Sequence, residues 1–320
     1  MFVELFPQKG SCLKVFFAGT QLQPLPLGHR FPMGKYEKLK DALLKELPQL
    51  ELIQSQPATL GELALVHTPL YVEQVITGTL APEVQREIGF PWSEGMVERA
   101  RASVGATIMA AKEALQNGVS ANMAGGTHHA YSDRGGGFCV FNDVAVAARL
   151  IQAQNDRLLK KRTKVLVIDL DVHQGNGSAQ IFANDSSVFT FSMHGAKNFP
   201  FRKEQSDMDV ELPDGCEDQA YLQALEEALF RLSSQFKPDF IFYLAGADPH
   251  IGDRLGRLSV STEGLKARDE RVFSWAHEMR SPLAFVMAGG YGTQMEDTLQ
   301  VQINTFHAGQ AAYQAWGNWR

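Results

Sequence analysis

Short, continuous apolar runs rich in β-branched and aromatic residues recur at 13–17, 165–168, 188–191, 240–244 and 283–287. Runs of this length without polar alternation suit strands covered on both faces, which is the habit of parallel sheets. Helical spacing fills the intervals. Ser93 is a good N-cap for a helix whose apolar stripe is Met96, Val97, Ala100, Val104, Ile108, Ala111 and Leu115, with Gly118 as its stop. Asn142 is placed to cap a second helix through 144–151, Asp218 a third with Leu222, Leu225, Leu229 and Leu232 inward, and Thr262 a fourth before Leu265 and Val272. The alternation predicts an α/β fold: an open parallel sheet with helices on both faces, binding its ligands beyond the carboxyl ends of the strands.

The 320 residues contain no repeat and no linker-like tract, so a single domain over 1–320 is expected. Hydrophobic residues at 44% and charged residues at 21% allow a large core and argue against wholesale disorder. With a net charge of −6 and one dense basic cluster, Lys160, Lys161, Arg162 and Lys164, between a helical pattern and a strand, no nucleic-acid partner is expected. Cys12, Cys139 and Cys216 are widely spaced without a CxxC, which suggests neither a disulfide framework nor a thiolate metal site and fits a reducing compartment. The first residues, MFVELFPQKGSCLKVFFAG, lack a basic segment before an apolar one, and no run approaches the roughly 18 apolar residues of a membrane span. The expectation is a cytoplasmic protein with no membrane partner.

The chemistry gathers where the strands end. The run 165–168 leads into Asp169, Asp171 and His173, and 240–244 into Asp248. The run 283–287 leads into Gly289, Gly290 and Tyr291, and Asn122-Met123-Ala124 into Gly125, Gly126, Thr127, His128 and His129. In extended chain alternate side chains share a face, so Asp169, Asp171 and His173 can point into one site. Several ionisable groups in a partly dry crevice lose hydration or repel one another unless a cation holds them. Asp171, His173 and Asp248 make an oxygen, nitrogen, oxygen set that leaves room for water and substrate, as a catalytic zinc site requires, and the same set suits Fe(II), Mn(II) or Co(II). Two carboxylates neutralise a divalent ion and blunt its acidification of water, so a general base is needed. His128 and His129 are the candidates, with Asp169 and Asn176 the nearest acceptors to fix their tautomers. Tyr291, after two glycines, is placed to donate its hydroxyl to an oxyanion.

The stretches “GGTHHA” (125–130), “GFCVFNDVAVAA” (137–148), “DLDVHQGNG” (169–177), “LAGADPHIGDRLG” (244–256) and “AGGYG” (288–292) resemble the motif series of the zinc-dependent histone deacetylases. “GHRFPMGKY” (28–36), “GFPWSEGMVERA” (89–100) and “HGAKNFPFRKEQSD” (194–207) resemble the short bacterial deacetylase-like members. The resemblance implies the arginase/deacetylase fold, a mostly parallel eight-stranded sheet, and hydrolysis of the N-acetyl or longer acyl amide of lysine or a lysine-like amine by metal-activated water. It assigns Asp171, His173 and Asp248 as zinc ligands, His128 and His129 as the tandem histidines, Tyr291 as the transition-state tyrosine and Asp169 as the support of the first histidine. It also implies a structural K+ or Na+ site at Asp169, Asp171, His173, Ser192 and Met193, and a second at Phe182, Asp185 and Val188. Phe138 matches one wall of the acyl-lysine channel, Phe199 or Phe201 the other, with Gly137, Gly289 and Gly290 beside it. Where the best-known members support the second histidine with aspartate, this sequence has Asn176, whose neutral amide favours protonated His129 less. Two competing readings share the architecture: a binuclear manganese ureohydrolase, which needs more bridging carboxylates, and a non-catalytic acetyl-lysine-binding module, which has no use for both histidines and Tyr291.

Overall fold

The computed structural model describes residues 12–19, 25–26 and 28–317, so the first eleven residues lie outside it. Eight strands form one sheet: β1 Lys14–Phe17, β2 Glu51–Gln54, β3 Val119–Asn122, β4 Val165–Asp169, β5 Val188–Gly195, β6 Met208–Leu212, β7 Phe240–Leu244 and β8 Leu283–Val286. Their order is β2-β1-β3-β8-β7-β4-β5-β6, and every pairing is parallel. The α/β architecture expected from the apolar runs is therefore present, with a fully parallel sheet.

Burial explains why those runs do not alternate. Along β4, Val165 and Val167 face one core while Leu166 and Ile168 face the other; along β7, Phe240 and Phe242 face the first and Ile241 and Tyr243 the second. Helices Glu94–Asn117 and Asp143–Leu159 cover one face through Val104, Ile108, Val144 and Ile151. Helices Lys35–Glu46, Asp218–Gln235, Thr262–Glu278 and Met295–Gly317 cover the other through Leu39, Leu225, Leu265 and Phe306. A central strand with apolar side chains on both faces is thus buried throughout.

Two caps are as expected: Ser93 accepts from the Met96 amide and Asn142 from the Ala145 amide. Two shift by one residue. The helix beginning at Asp218 is preceded by Glu217, and the helix beginning at Thr262 is capped by Ser261, whose hydroxyl accepts from the Gly264 amide. Asp218 instead accepts from the Ser261 amide at 2.7 Å and its hydroxyl at 2.6 Å, joining the two helix starts.

The topology matters because β3, β8, β7 and β4 are consecutive neighbours at the centre of the sheet. Asn122 pairs with Val286, Val286 with Leu244, and Leu244 with Asp169, so the four chemistry-bearing segments leave the sheet along one line.

Candidate active site

Asp171, His173 and Asp248 are buried, and one ligand atom from each lies within 4.8 Å of the others. His173 Nδ1 stands 2.9 Å from Asp171 Oδ1 and 3.2 Å from Asp248 Oδ2. Backbone amides aim the carboxylates: Gly289 donates to Asp171 Oδ2 at 2.7 Å and Val172 to Asp248 Oδ1 at 2.9 Å. Position 289 admits no side chain, since a Cβ there would sit 2.0 Å from Asp248 Oδ2 and 2.6 Å from Asp171 Oδ2.

The charges of this cluster match a cation. Burial by itself lowers the pKa of His173, but the hydrogen bonds and charges of Asp171 and Asp248 outweigh it and raise it to about 10. Burial and the Asp171 charge push the Asp248 carboxyl up to about 7. Asp171 stays well below the carboxylate range, because His128 and His173 overcome its burial. A proton here stands where a divalent ion's charge would serve better, so the donor set and its electrostatics fit a catalytic metal.

His128 and His129 lie beside this cluster with Nε2 atoms 3.2 Å apart. His128 Nδ1 meets Asp169 Oδ2 at 2.7 Å, and although burial opposes its charge, Asp169 and Asp171 raise its pKa to about 9. His129 differs. Burial and the charges of His128 and His173 hold it well below the usual imidazole value, and its Nδ1 lies 2.7 Å from Asn176 Oδ1. The network fixes the tautomer. Asn176 Nδ2 donates to the Tyr131 hydroxyl at 2.9 Å, which donates to Glu204 at 3.1 Å, so Asn176 presents its oxygen and His129 Nδ1 carries the hydrogen. His129 Nε2 keeps its lone pair.

Tyr291 lines the same cavity as Asp171, His173 and both histidines. Burial and the charges of Asp171 and Asp248 raise its phenol far above the usual value, so it remains a donor. Its amide donates to Asp253 at 2.6 Å and its carbonyl accepts from Arg254 Nε at 2.9 Å. Asp253 also accepts from the Leu255 and Gly256 amides, at 2.8 and 2.9 Å, and so ties the loop after Asp248 to the tyrosine.

The outer passage separates the two open aromatic candidates and turns away one expected residue. Phe199 stacks edge-on to His129 with ring centroids 4.9 Å apart, whereas Phe201 is 88% exposed and touches Phe199 at 6.3 Å, so Phe199 stands against the site and Phe201 at its outer rim. Gly290 does not line the passage: a Cβ there would meet Thr298 and Ala247, and its carbonyl accepts from buried Lys35 Nζ at 3.3 Å. Gly137, at φ +53°, does, since a Cβ would come within 2.5 Å of the His129 ring. Phe138 packs 6.0 Å from the Tyr291 ring.

At the first site assigned to a monovalent ion, Asp169 pairs in register with Ser192, whose hydroxyl lies 2.9 Å from His194 Nδ1, and Met193 is buried. At the second, the Asp185 carboxylate is engaged by Arg149, by Arg162 at 3.4 Å and by the Ser187 amide at 2.9 Å, which leaves backbone carbonyls as donors beside Phe182 and Val188.

Two supports escape motif reading. The Tyr131–Glu204 pair spans 73 residues and is visible only in three dimensions. Arg268, fully buried, donates to the carbonyls of Gly246 at 2.6 Å and Leu170 at 3.4 Å, the segments that carry Asp248 and Asp171, and is paired with Asp269 at 2.8 Å. A signal existed: Arg268 and Asp269 fall between Leu265 and Val272 on the apolar stripe of their helix, where a charge demands a partner.

The family signature described as “Histone deacetylase domain” matches residues 29–305. An uncharacterized protein of Picosynechococcus is 47% identical over 285 residues, covering 88% of this chain and 93% of its own. “Histone deacetylase 2” of Arabidopsis thaliana is 34% identical, covering 82% of this chain and 70% of its own. The acetoin utilization protein AcuC of Bacillus subtilis is 30% identical, covering 75% and 66%. Among solved structures, that of an HDAC homolog from Aquifex aeolicus superposes with a TM-score of 0.77 at 25% identity, over 94% of this chain and 85% of that one.

Proposed function

This chain belongs to the histone deacetylase family, and from that premise we propose that it is a metal-dependent hydrolase of the acetyl or acyl amide of lysine or a lysine-like amine, with 1–320 as one catalytic domain. The observation that carries this reading is one cavity lined by Asp171, His173, a neutral histidine beside a charged one and a protonated tyrosine, with Asp248 buried against Asp171 and His173 to complete the carboxylate–imidazole–carboxylate set. Asp171, His173 and Asp248 would hold a divalent cation, Zn2+ or in its place Fe2+, Mn2+ or Co2+, which supplies Lewis-acid polarisation of the amide carbonyl and a more acidic water. The chain's own groups do the rest. Phe138 and Phe199 guide the aliphatic stem of the substrate, and Tyr291 donates to the carbonyl oxygen as it gains charge. His129 Nε2 takes the proton of the attacking water and returns it to the leaving amine. His128, charged against Asp169, offsets the negative charge that develops. K+ or Na+ at the Asp169, Ser192 and Met193 carbonyls would brace the loop that carries Asp171 and His173.

No helix among the described residues is long and apolar enough to cross a membrane, and none of the three cysteines forms a disulfide. A cytoplasmic location is part of this proposal, in keeping with three widely spaced cysteines and a reducing compartment. The test is acetate release from an acetyl-lysine peptide by protein of measured metal content. Acetate in step with about one transition metal per chain is expected; two metals with urea release, or peptide binding without turnover, would overturn the reading.

Asn176 tunes the base. Replacing its amide by carboxylate in Asn176→Asp favours the charged imidazole and raises the pKa of His129. Since the base must be neutral to act, the acidic limb of the kcat/KM profile moves upward, by about one pH unit. A profile that stays in place removes Asn176 from this role.

A further inference from the structure

We propose that the mouth of the site selects acyl-lysines carried in acidic polypeptide segments. The lysine part rests on the hydrolase reading above; the preference for acidic neighbours rests on the surface alone. Six cationic side chains line the outer groove around Phe199: Arg30, Arg134, Lys197, Arg202, Arg254 and Arg257. Glu87 is the one carboxylate among the lining residues, in a chain whose net charge is −6. Positive charge is therefore concentrated where substrate must arrive, against the sign of the whole molecule.

Local pairing neutralises part of this set. Arg257 and Lys197 share Asp214, at 2.7 and 3.7 Å, and Arg134 lies 3.1 Å from Asp133. Glu204, near the groove, is hydrogen-bonded to Tyr131. Arg30, Arg202 and Arg254 have no carboxylate partner among the described residues. Arg254 is also held in place: its Nε donates to the Tyr291 carbonyl at 2.9 Å and its Nη2 to the Arg30 carbonyl at 3.2 Å. Three guanidinium groups thus ring the entrance with donors to spare, one of them anchored to the catalytic tyrosine's backbone.

Phe201, 88% exposed beside Arg202, decides for a polypeptide over a small anion. An exposed aromatic among arginines is the composition of surfaces that bind peptides, where the ring takes an apolar neighbour and the guanidinium a carboxylate. A basic flank would place like charges opposite one another and forfeit binding.

The experiment compares fluorescein-labelled acetyl-lysine peptides that differ only in flanking residues, Asp/Glu, Gly/Ser or Lys/Arg, by anisotropy and by turnover, alongside unflanked acetyl-lysine amide. At low salt the acidic peptide should bind about tenfold more tightly than the basic one, the sum of a few exposed charge contacts, and the gap should shrink at about 0.5 M salt. R30E/R202E should reverse the order while leaving the rate on the unflanked amide unchanged. Equal binding of all three peptides, or preference for the basic one, overturns the inference. So does a short oligonucleotide that displaces the acidic peptide more effectively than unlabelled acidic peptide does, which would assign the arginines to phosphate. Turnover of the unflanked amide without flank preference sinks this inference alone. Tighter acidic binding without any turnover sustains it and sinks the hydrolase reading.

Discussion

Tyr291→Phe is expected to reduce kcat by about 10²- to 10³-fold, the loss typical of removing one oxyanion donor, with metal content unchanged. The substitution removes a single hydroxyl. The ring keeps its contacts with Phe31 at 6.5 Å and Phe138 at 6.0 Å, and the backbone keeps its bonds to Asp253 and Arg254. What is lost is a donor that burial and the charges of Asp171 and Asp248 keep protonated far above neutral pH. Because that donor strengthens as charge grows on the carbonyl oxygen, the loss belongs to kcat more than to KM. Steady-state kinetics with metal analysis on the same preparation checks it. Near-normal turnover with full metal would remove Tyr291 from the reaction.

Removing the divalent ion with a chelator should abolish measurable hydrolysis, and restoring it should bring activity back. Stability should follow: a ligand of the folded state alone, present at 100 times its Kd, adds about 2.7 kcal/mol. The sign of the pH dependence comes from the ligands. Without the ion, His173 holds a proton up to about pH 10 and Asp248 up to about pH 7. Both must be given up to ligate, so uptake releases protons, and affinity falls as pH drops below about 10 and more steeply below about 7. Calorimetric titration in two buffers of different ionisation enthalpy measures the release. Binding that is indifferent to pH between 6 and 8, or activity that survives complete chelation, would contradict this account of the site.

The strands that escaped sequence reading did so for physical reasons. β2 and β6 are the two edges of the sheet and are only half covered, so Glu51–Gln54 and Met208–Leu212 mix polar with apolar residues and show no continuous run. β3 is central and buried yet reads Val-Ser-Ala-Asn. Its polar groups are paid for by tertiary bonds, Ser120 to the Lys14 carbonyl at 2.9 Å and Asn122 to Thr107 at 2.8 Å, which no local pattern discloses.

By itself the sequence determined five of the eight strands, the starts of four helices within a residue, and the residues that stand past the strand ends. These depend on burial periodicity and on side-chain chemistry, and both are local properties. Tertiary structure decided the partnerships. It put β3, β8, β7 and β4 side by side, chose Phe199 over Phe201, turned Gly290 away from the passage and ran Asn176 through Tyr131 to Glu204. Each of those outcomes hangs on contacts between segments far apart in the chain, whose distance and direction are set only when the sheet has closed its order and the helices have packed against it.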